Sequence, residues 1–268
     1  MLEDKINWRS QNDGAFLSIV MPVYNEAATL RSIITKVLAV PDLLELVIVD
    51  DYSSDRSPEI CDEFRNDPRV VVLRHEKNRG KTAALITGFA KTTGNVVTIQ
   101  DADLEYDPGD IAELIAPIVE GRADVVYGSR FMVKRAARVL YFSHYLANKC
   151  LTFVSNCLTN LNMSDIETCY KAFRGDIIRN LVITSKGFGF EVEVTAKIAK
   201  LKCAVYEVPI SYYGRTYQEG KKIGMRDGIA AFWYLARFNL FTGLRSSFRT
   251  MPELEDPKKQ KLLLDIKE

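Results

Sequence analysis

Residues 96–121 read VVTIQDADLEYDPGDIAELIAPIVEG. The opening V-V-T-I is apolar or small, which suits a buried strand. Asp101, Asp103, Glu105 and Asp107 then follow at every second position, and Pro108 begins a stretch with apolar residues at helical spacing. Asp107, directly before Pro108, is placed to cap that helix. The pattern is strand, acidic loop, helix, and it raises the question of why a buried strand should end in so many carboxylates.

The same pattern recurs on both sides. Strands are expected at 16–24, 44–51, 70–75, 95–101 and 124–129, alternating with helices at 26–40, 54–64, 80–92 and 108–121. Continuously apolar strands alternating with helices specify an α/β fold: a mostly parallel sheet covered by helices on both faces. In such sheets ligands bind outside the carboxyl ends of the strands, where Asp50–Asp51 and Asp101–Asp103 fall. The carboxylates therefore face a ligand crevice. The second half is less regular, with a long helix at 136–159, strands at 169–174 and 204–214, helices at 175–183 and 190–201, and an aromatic-rich helix at 225–241. The charged segment from Met251 onward is expected to be a loose tail.

Composition narrows the function classes. The 268 residues carry a formal charge of +1, which gives no reason to expect a nucleic-acid partner. Five scattered cysteines form no CxxC pair, so neither a disulfide framework nor a thiolate zinc site is indicated, and a reducing, cytoplasmic compartment is the default. The first 15 residues are polar and lack the apolar core of a signal peptide, and no apolar run reaches membrane-span length. Only two histidines, His75 and His144, occur, which disfavours a zinc hydrolase and a histidine-based triad. Carboxylates at i, i+2 and i+4 past a strand can instead converge on a hard cation, Mg²⁺ or Mn²⁺, shared with substrate phosphates.

Five stretches, in order and each at a strand–loop junction, carry a resemblance: SIVMPVYNEAATL, ELVIVDDYSSDRS, EKNRGKTAALITGF, QDADLEYDP and YGSRF. Together they resemble the family 2 glycosyltransferases of the GT-A fold, above all enzymes that load a sugar onto a polyprenyl phosphate. DIETCYKAFR, GFGFEVEV and YYGRTYQEGKKIGMRDG extend the likeness to about residues 16–235. The implied organisation is an N-terminal extension (1–15), a glycosyltransferase domain (16–241) with a nucleotide-binding half (16–131) and an acceptor half (132–241), and a C-terminal tail (242–268).

The resemblance implies roles residue by residue. Pro22, Tyr24 and Glu26 would line the nucleotide-sugar pocket, with Asp51 taking the base or ribose. Asp101 and Asp103 would be the DxD metal pair, and Glu105, which stands where mannose synthases often carry Gln, a third candidate ligand. Lys81, after Gly80 at a helix start, would lie near phosphate, and Arg130 would face the diphosphate, since a guanidinium fork suits phosphate oxygens. Glu191 or Glu193 would supply a general base, or order the site where the acceptor is already an anion. Arg215, Lys221 and Lys222 would clamp the acceptor phosphate. The implied partners are a nucleotide sugar and a polyprenyl phosphate. Aromatic and basic residues at 226–249, including Phe232, Trp233, Phe241, Arg237 and Arg245, suit the cytoplasmic face of an anionic membrane, while packing on the sheet or on a partner subunit is the alternative for part of them.

Two rivals remain at this stage: the same fold acting on a hydroxyl acceptor, and a non-catalytic nucleotide-binding module. A nucleotidyltransferase would need a glycine-rich, basic phosphate loop near the N-terminus, and MPVYNEAATL has none.

Overall fold

The computed structural model describes residues 16–132, 138–139, 141–187, 189–215 and 225–254, with 225–227 and 229 described by backbone alone. Seven strands form one sheet: β1 (Leu17–Val23), β2 (Leu43–Asp50), β3 (Val70–Arg74), β4 (Val96–Ile99), β5 (Val125–Ser129), β6 (Lys171–Arg174) and β7 (Val205–Pro209). Their spatial order is β3-β2-β1-β4-β6-β5-β7. All pairings are parallel except those of β6, which runs antiparallel between β4 and β5. Strands from both halves of the chain share this sheet.

The helices are α1 (Leu30–Leu38), α2 (Ser57–Glu63), α3 (Lys81–Phe89), α4 (Ile111–Val119), α5 (Phe142–Thr159), α6 (Gly175–Asn180), α7 (Phe190–Leu201) and α8 (Met225–Leu240). Two apolar clusters result, one on each face. One packs Ile33, Ile34 and Leu114 against Ile19 and Met21, and the other packs Leu85, Phe89, Val192 and Leu235 against Val20 and Val97. Alternate residues of β1 thus serve opposite clusters, which is why the strand is apolar throughout.

Three expected boundaries move. The first helix starts at Leu30, because residues 24–27 are tied to the loop after β2: Asn25 N donates to Ser53 Oγ (2.9 Å), Glu26 N to Ser57 Oγ (3.0 Å) and Ala27 N to Asp55 Oδ2 (3.0 Å). β7 ends at Pro209 rather than 214, and Tyr212 beyond it makes an isolated bridge to Tyr106 in the acidic loop. The tail is not loose at its start, since Phe248 and Leu254 are buried and Arg249 N donates to Asn180 O (2.8 Å). The loose stretch expected from 255 on lies outside the described residues.

α3 crosses β1 at Gly88, where an added Cβ would lie 2.3 Å from Val20 Cγ1. Valine is stiff at χ1 and cannot swing clear. Gly88→Ala should therefore destabilise the fold by about 1–3 kcal/mol through overpacking, read as a lowered denaturant midpoint at unchanged slope; an unchanged midpoint would show that the contact relaxes freely.

Candidate active site

The acidic loop leaves β4 at the carboxyl edge of the sheet, as the sequence pattern requires. Leu104 adopts φ 62, which turns the chain between Asp103 and Glu105. Asp107 caps the turn ahead of α4, its side chain accepting from Gly109 N (3.0 Å). Gln100 fixes the loop's root: buried, it accepts from Tyr170 Oη (2.5 Å) and donates to Asp101 O (3.1 Å).

Two cations neutralise these acids. Lys81 Nζ lies 2.9 Å from both Asp101 oxygens, 2.9 Å from Cys169 Sγ and 3.9 Å from Glu191. Burial works against both charges, yet the pairing wins: it holds Lys81 well above the ordinary lysine range and Asp101 below the ordinary aspartate range. Arg215 gathers the rest. Its guanidinium donates to Asp103 (2.7 Å), Glu105 (3.1 Å) and Glu26 (3.3 Å), and its backbone N to Glu105 (3.0 Å). Tyr212 Oη adds a bond to Glu105 (2.8 Å). Even so, burial and then the charges of Asp101 and Glu105 push the Asp103 carboxyl up to about 7.

These observations bear on a metal. The donor set of Asp101, Asp103 and Glu105 is all oxygen, as hard divalent cations require. Asp103 is raised first by burial and then by the neighbouring charges of Asp101 and Glu105, against the pull of Arg215. Among the described residues no group of three His, Cys, Asp or Glu side chains is disposed to hold a metal. A hard cation such as Mg²⁺ or Mn²⁺ needs only one or two carboxylates when substrate oxygens and water complete its shell, and Asp101 and Asp103 are chemically suited to that role.

The other expected site residues divide. Asp51 is buried, and its oxygens accept from Arg79 N (2.9 Å), Gly80 N (2.7 Å) and His75 Nδ1 (2.6 Å), so it shapes the loop into α3. His75 in turn bonds Thr87 (2.9 Å). Pro22 lies on β1 opposite Val49, and Tyr24 and Tyr52 stay exposed at the same edge. Arg130, expected to face the diphosphate, forms an ion pair with Asp165. Its guanidinium donates to fully buried Asp165 at 2.7 and 2.8 Å, and it stacks over the Tyr212 ring. Two of its three nitrogens are committed there, because a buried guanidinium needs a carboxylate.

Glu191 and Glu193 separate cleanly. Glu193 accepts from Thr184 N (2.9 Å), Ser185 N (2.6 Å) and Lys197 Nζ (2.5 Å), a structural tie fully inside the protein. Glu191 instead lies beside Lys81 and Cys169. Lys221 and Lys222 lie outside the described residues. Asp165, Tyr212 and His75 escape the sequence reading as site residues; Asp165 opens the quoted DIETCYKAFR, but nothing local to it names Arg130 as partner.

Residues 18–182 match the sequence model of the Glycosyl transferase family 2. The chain belongs to this family. It is a glycosyltransferase of GT-A fold. It is 30% identical over 212 residues to the dolichol-phosphate mannosyltransferase of Pyrococcus furiosus, a match covering 78% of this chain and 59% of that protein. It is 30% identical over 232 residues to the undecaprenyl-phosphate mannosyltransferase of Micrococcus luteus, covering 80% and 94%. Among solved structures, glucosyl-3-phosphoglycerate synthase from Mycobacterium tuberculosis in complex with UDP superposes with a TM-score of 0.67 at 18% identity, covering 86% of this chain and 82% of that one. The same synthase has also been crystallised with Mn²⁺ or Mg²⁺.

The Arg130–Asp165 pair makes a stability prediction. Asp165→Asn removes the charge that compensates a buried guanidinium and should cost about 3–5 kcal/mol, measured by denaturant unfolding. Loss below about 1 kcal/mol would show that Arg130 is solvated instead.

Proposed function

We propose that this glycosyltransferase moves a hexose from a nucleotide sugar, of UDP-glucose or GDP-mannose type, to a polyprenyl phosphate with inversion at the anomeric carbon. The observation that carries the reading is Arg215. It opens the basic loop GRTYQEGKK, yet its guanidinium lies 2.7 Å from Asp103. The acid loop that suits the donor's diphosphate thus meets Arg215, the described cation of the segment that suits an acceptor phosphate. Relatives that act on polyprenyl phosphates support the same acceptor class.

In this reading Asp103 and Asp101 hold Mg²⁺ or Mn²⁺, with Glu105 beside them; the cation, when bound, draws negative charge off the departing diphosphate. An acceptor phosphate oxygen forms the new bond to C1 as the bond from C1 to the diphosphate oxygen breaks. Arg215, Lys221 and Lys222 would neutralise the acceptor phosphate. Pro22, Tyr24, Glu26 and Asp51 bound the nucleoside side. Lys81 holds Asp101 in place, and Arg130, tied to Asp165, positions the corner after β5. A phosphate acceptor is already an anion, so Glu191 need only order Lys81. Transfer to a hydroxyl acceptor is the second reading, and Glu191 is then the base, since Glu193 is fully committed.

A lipid acceptor also gives a use to surfaces that the core leaves over. Phe232, Trp233 and Leu240 of α8 and Phe241 just beyond it are exposed, with Arg237 among them, and so are Phe142, Leu146 and Phe153 of α5. Phe238 and Leu235 of α8 pack inward instead. Among the described residues no helix is long and apolar enough to cross a membrane, so peripheral contact is the mode proposed.

The test is sugar transfer from UDP-glucose and GDP-mannose to polyprenyl phosphate in anionic vesicles, in neutral vesicles, and to soluble sugars. Transfer to the lipid phosphate, faster on anionic vesicles and abolished by chelation, is expected. Asp103→Ala and Arg215→Ala should each lower kcat/KM by about 100-fold or more. Full activity of Asp103→Ala would overturn the metal assignment, and transfer to soluble sugars alone would overturn the acceptor.

A further inference from the structure

We propose that Glu167 recognises a hydroxyl of the transferred sugar. This rests on the donor half of the function proposed above. Glu167 precedes β6 in the turn 165–169, and its Oε1 is buried without a hydrogen-bond partner, as is Oγ1 of neighbouring Thr168. The residue as a whole keeps part of its surface exposed. Buried carboxylate oxygens are nearly always satisfied, and one left open calls for a donor from outside the chain.

Topology supplies the position. Thr98 of β4 pairs with Ala172 of the antiparallel β6, so residues 165–170 lie beyond the carboxyl end of β4, beside the acidic loop. The sheet runs β2-β1-β4-β6. Crossing its carboxyl edge meets Asp51 after β2, then Asp101 and Asp103 after β4, then Glu167 before β6. Nucleoside, diphosphate and sugar follow one another in the same order along a nucleotide sugar.

Chemistry selects a neutral hydroxyl. Glu191 and Asp165 add negative charge around Glu167, which burial and Glu191 together push up to about 7, and a phosphate is disfavoured there. The nearby cations do not serve Glu167 as donors: Lys171 Nζ donates to Ile166 O (3.0 Å) and to Thr168 O, and Arg130 is paired with Asp165. These bonds also hold the turn rigid, as recognition requires. A carboxylate accepting from a sugar hydroxyl is a charge-assisted bond.

The experiment compares calorimetric affinities of UDP with UDP-glucose, and of GDP with GDP-mannose, in the presence of Mn²⁺. In Glu167→Ala the affinity for the sugar nucleotide, relative to its parent diphosphate, should fall about 10- to 100-fold. Glu167→Gln, which keeps one acceptor oxygen and the shape, should fall between and stay folded. Unchanged ratios in both variants overturn the proposal and leave Glu167 as the site of a structural water only. If the ratios shift while wild-type protein transfers nothing to polyprenyl phosphate, Glu167 stands and the acceptor reading falls. A wild-type chain that binds none of the four nucleotides overturns both.

Discussion

Three carboxylates crowded at the end of one strand cannot stand alone in a protein interior, because each loses hydration and repels the others. Here two cations from distant parts of the chain neutralise them: Lys81 from the start of α3 on Asp101, and Arg215 from beyond β7 on Asp103, Glu105 and Glu26. The arrangement ties the first half of the chain to the second through charge. Burial, with the charges of Asp101 and Glu105, keeps the Asp103 carboxyl raised despite Arg215.

The antiparallel β6 gives this cluster its floor. Inserted between β4 and β5, it reverses direction and brings the turn 165–169 to the carboxyl edge, where Asp165 anchors Arg130 and Cys169 touches Lys81. A wholly parallel sheet would have sent that turn to the opposite edge. Glu193 shows the complementary case: two residues from Glu191 on the same helix, it points to Lys197 and the 184–185 backbone, and serves the fold.

Local pattern made much of this legible. Apolar runs and helical spacing marked every strand and helix, though the long helix expected from 136 begins at Phe142 and the strand expected to reach 214 ends at Pro209, and the alternating acids after Ile99 fall at the carboxyl edge of the sheet. Partnerships remote in sequence were not legible. Arg215 and Asp103 are 112 residues apart, and Arg130 and Asp165 are 35 apart, so no local window could assign Arg130 to an ion pair. The direction of β6 was equally hidden, because a four-residue strand such as Lys171–Arg174 reads alike in either orientation. Asp51 looked like a free acid at a strand tip, whereas loop amides and His75 already occupy it.

Electron paramagnetic titration of Mn²⁺, with UDP or GDP present, tests most directly whether the acidic loop is a cation site. One tightly held ion per chain is expected with at least one of the two nucleotides, and its loss in Asp103→Ala. Equal retention of Mn²⁺ by the variant, or no nucleotide-dependent binding in the wild-type protein, would contradict that assignment and leave Arg215 as the permanent partner of these carboxylates.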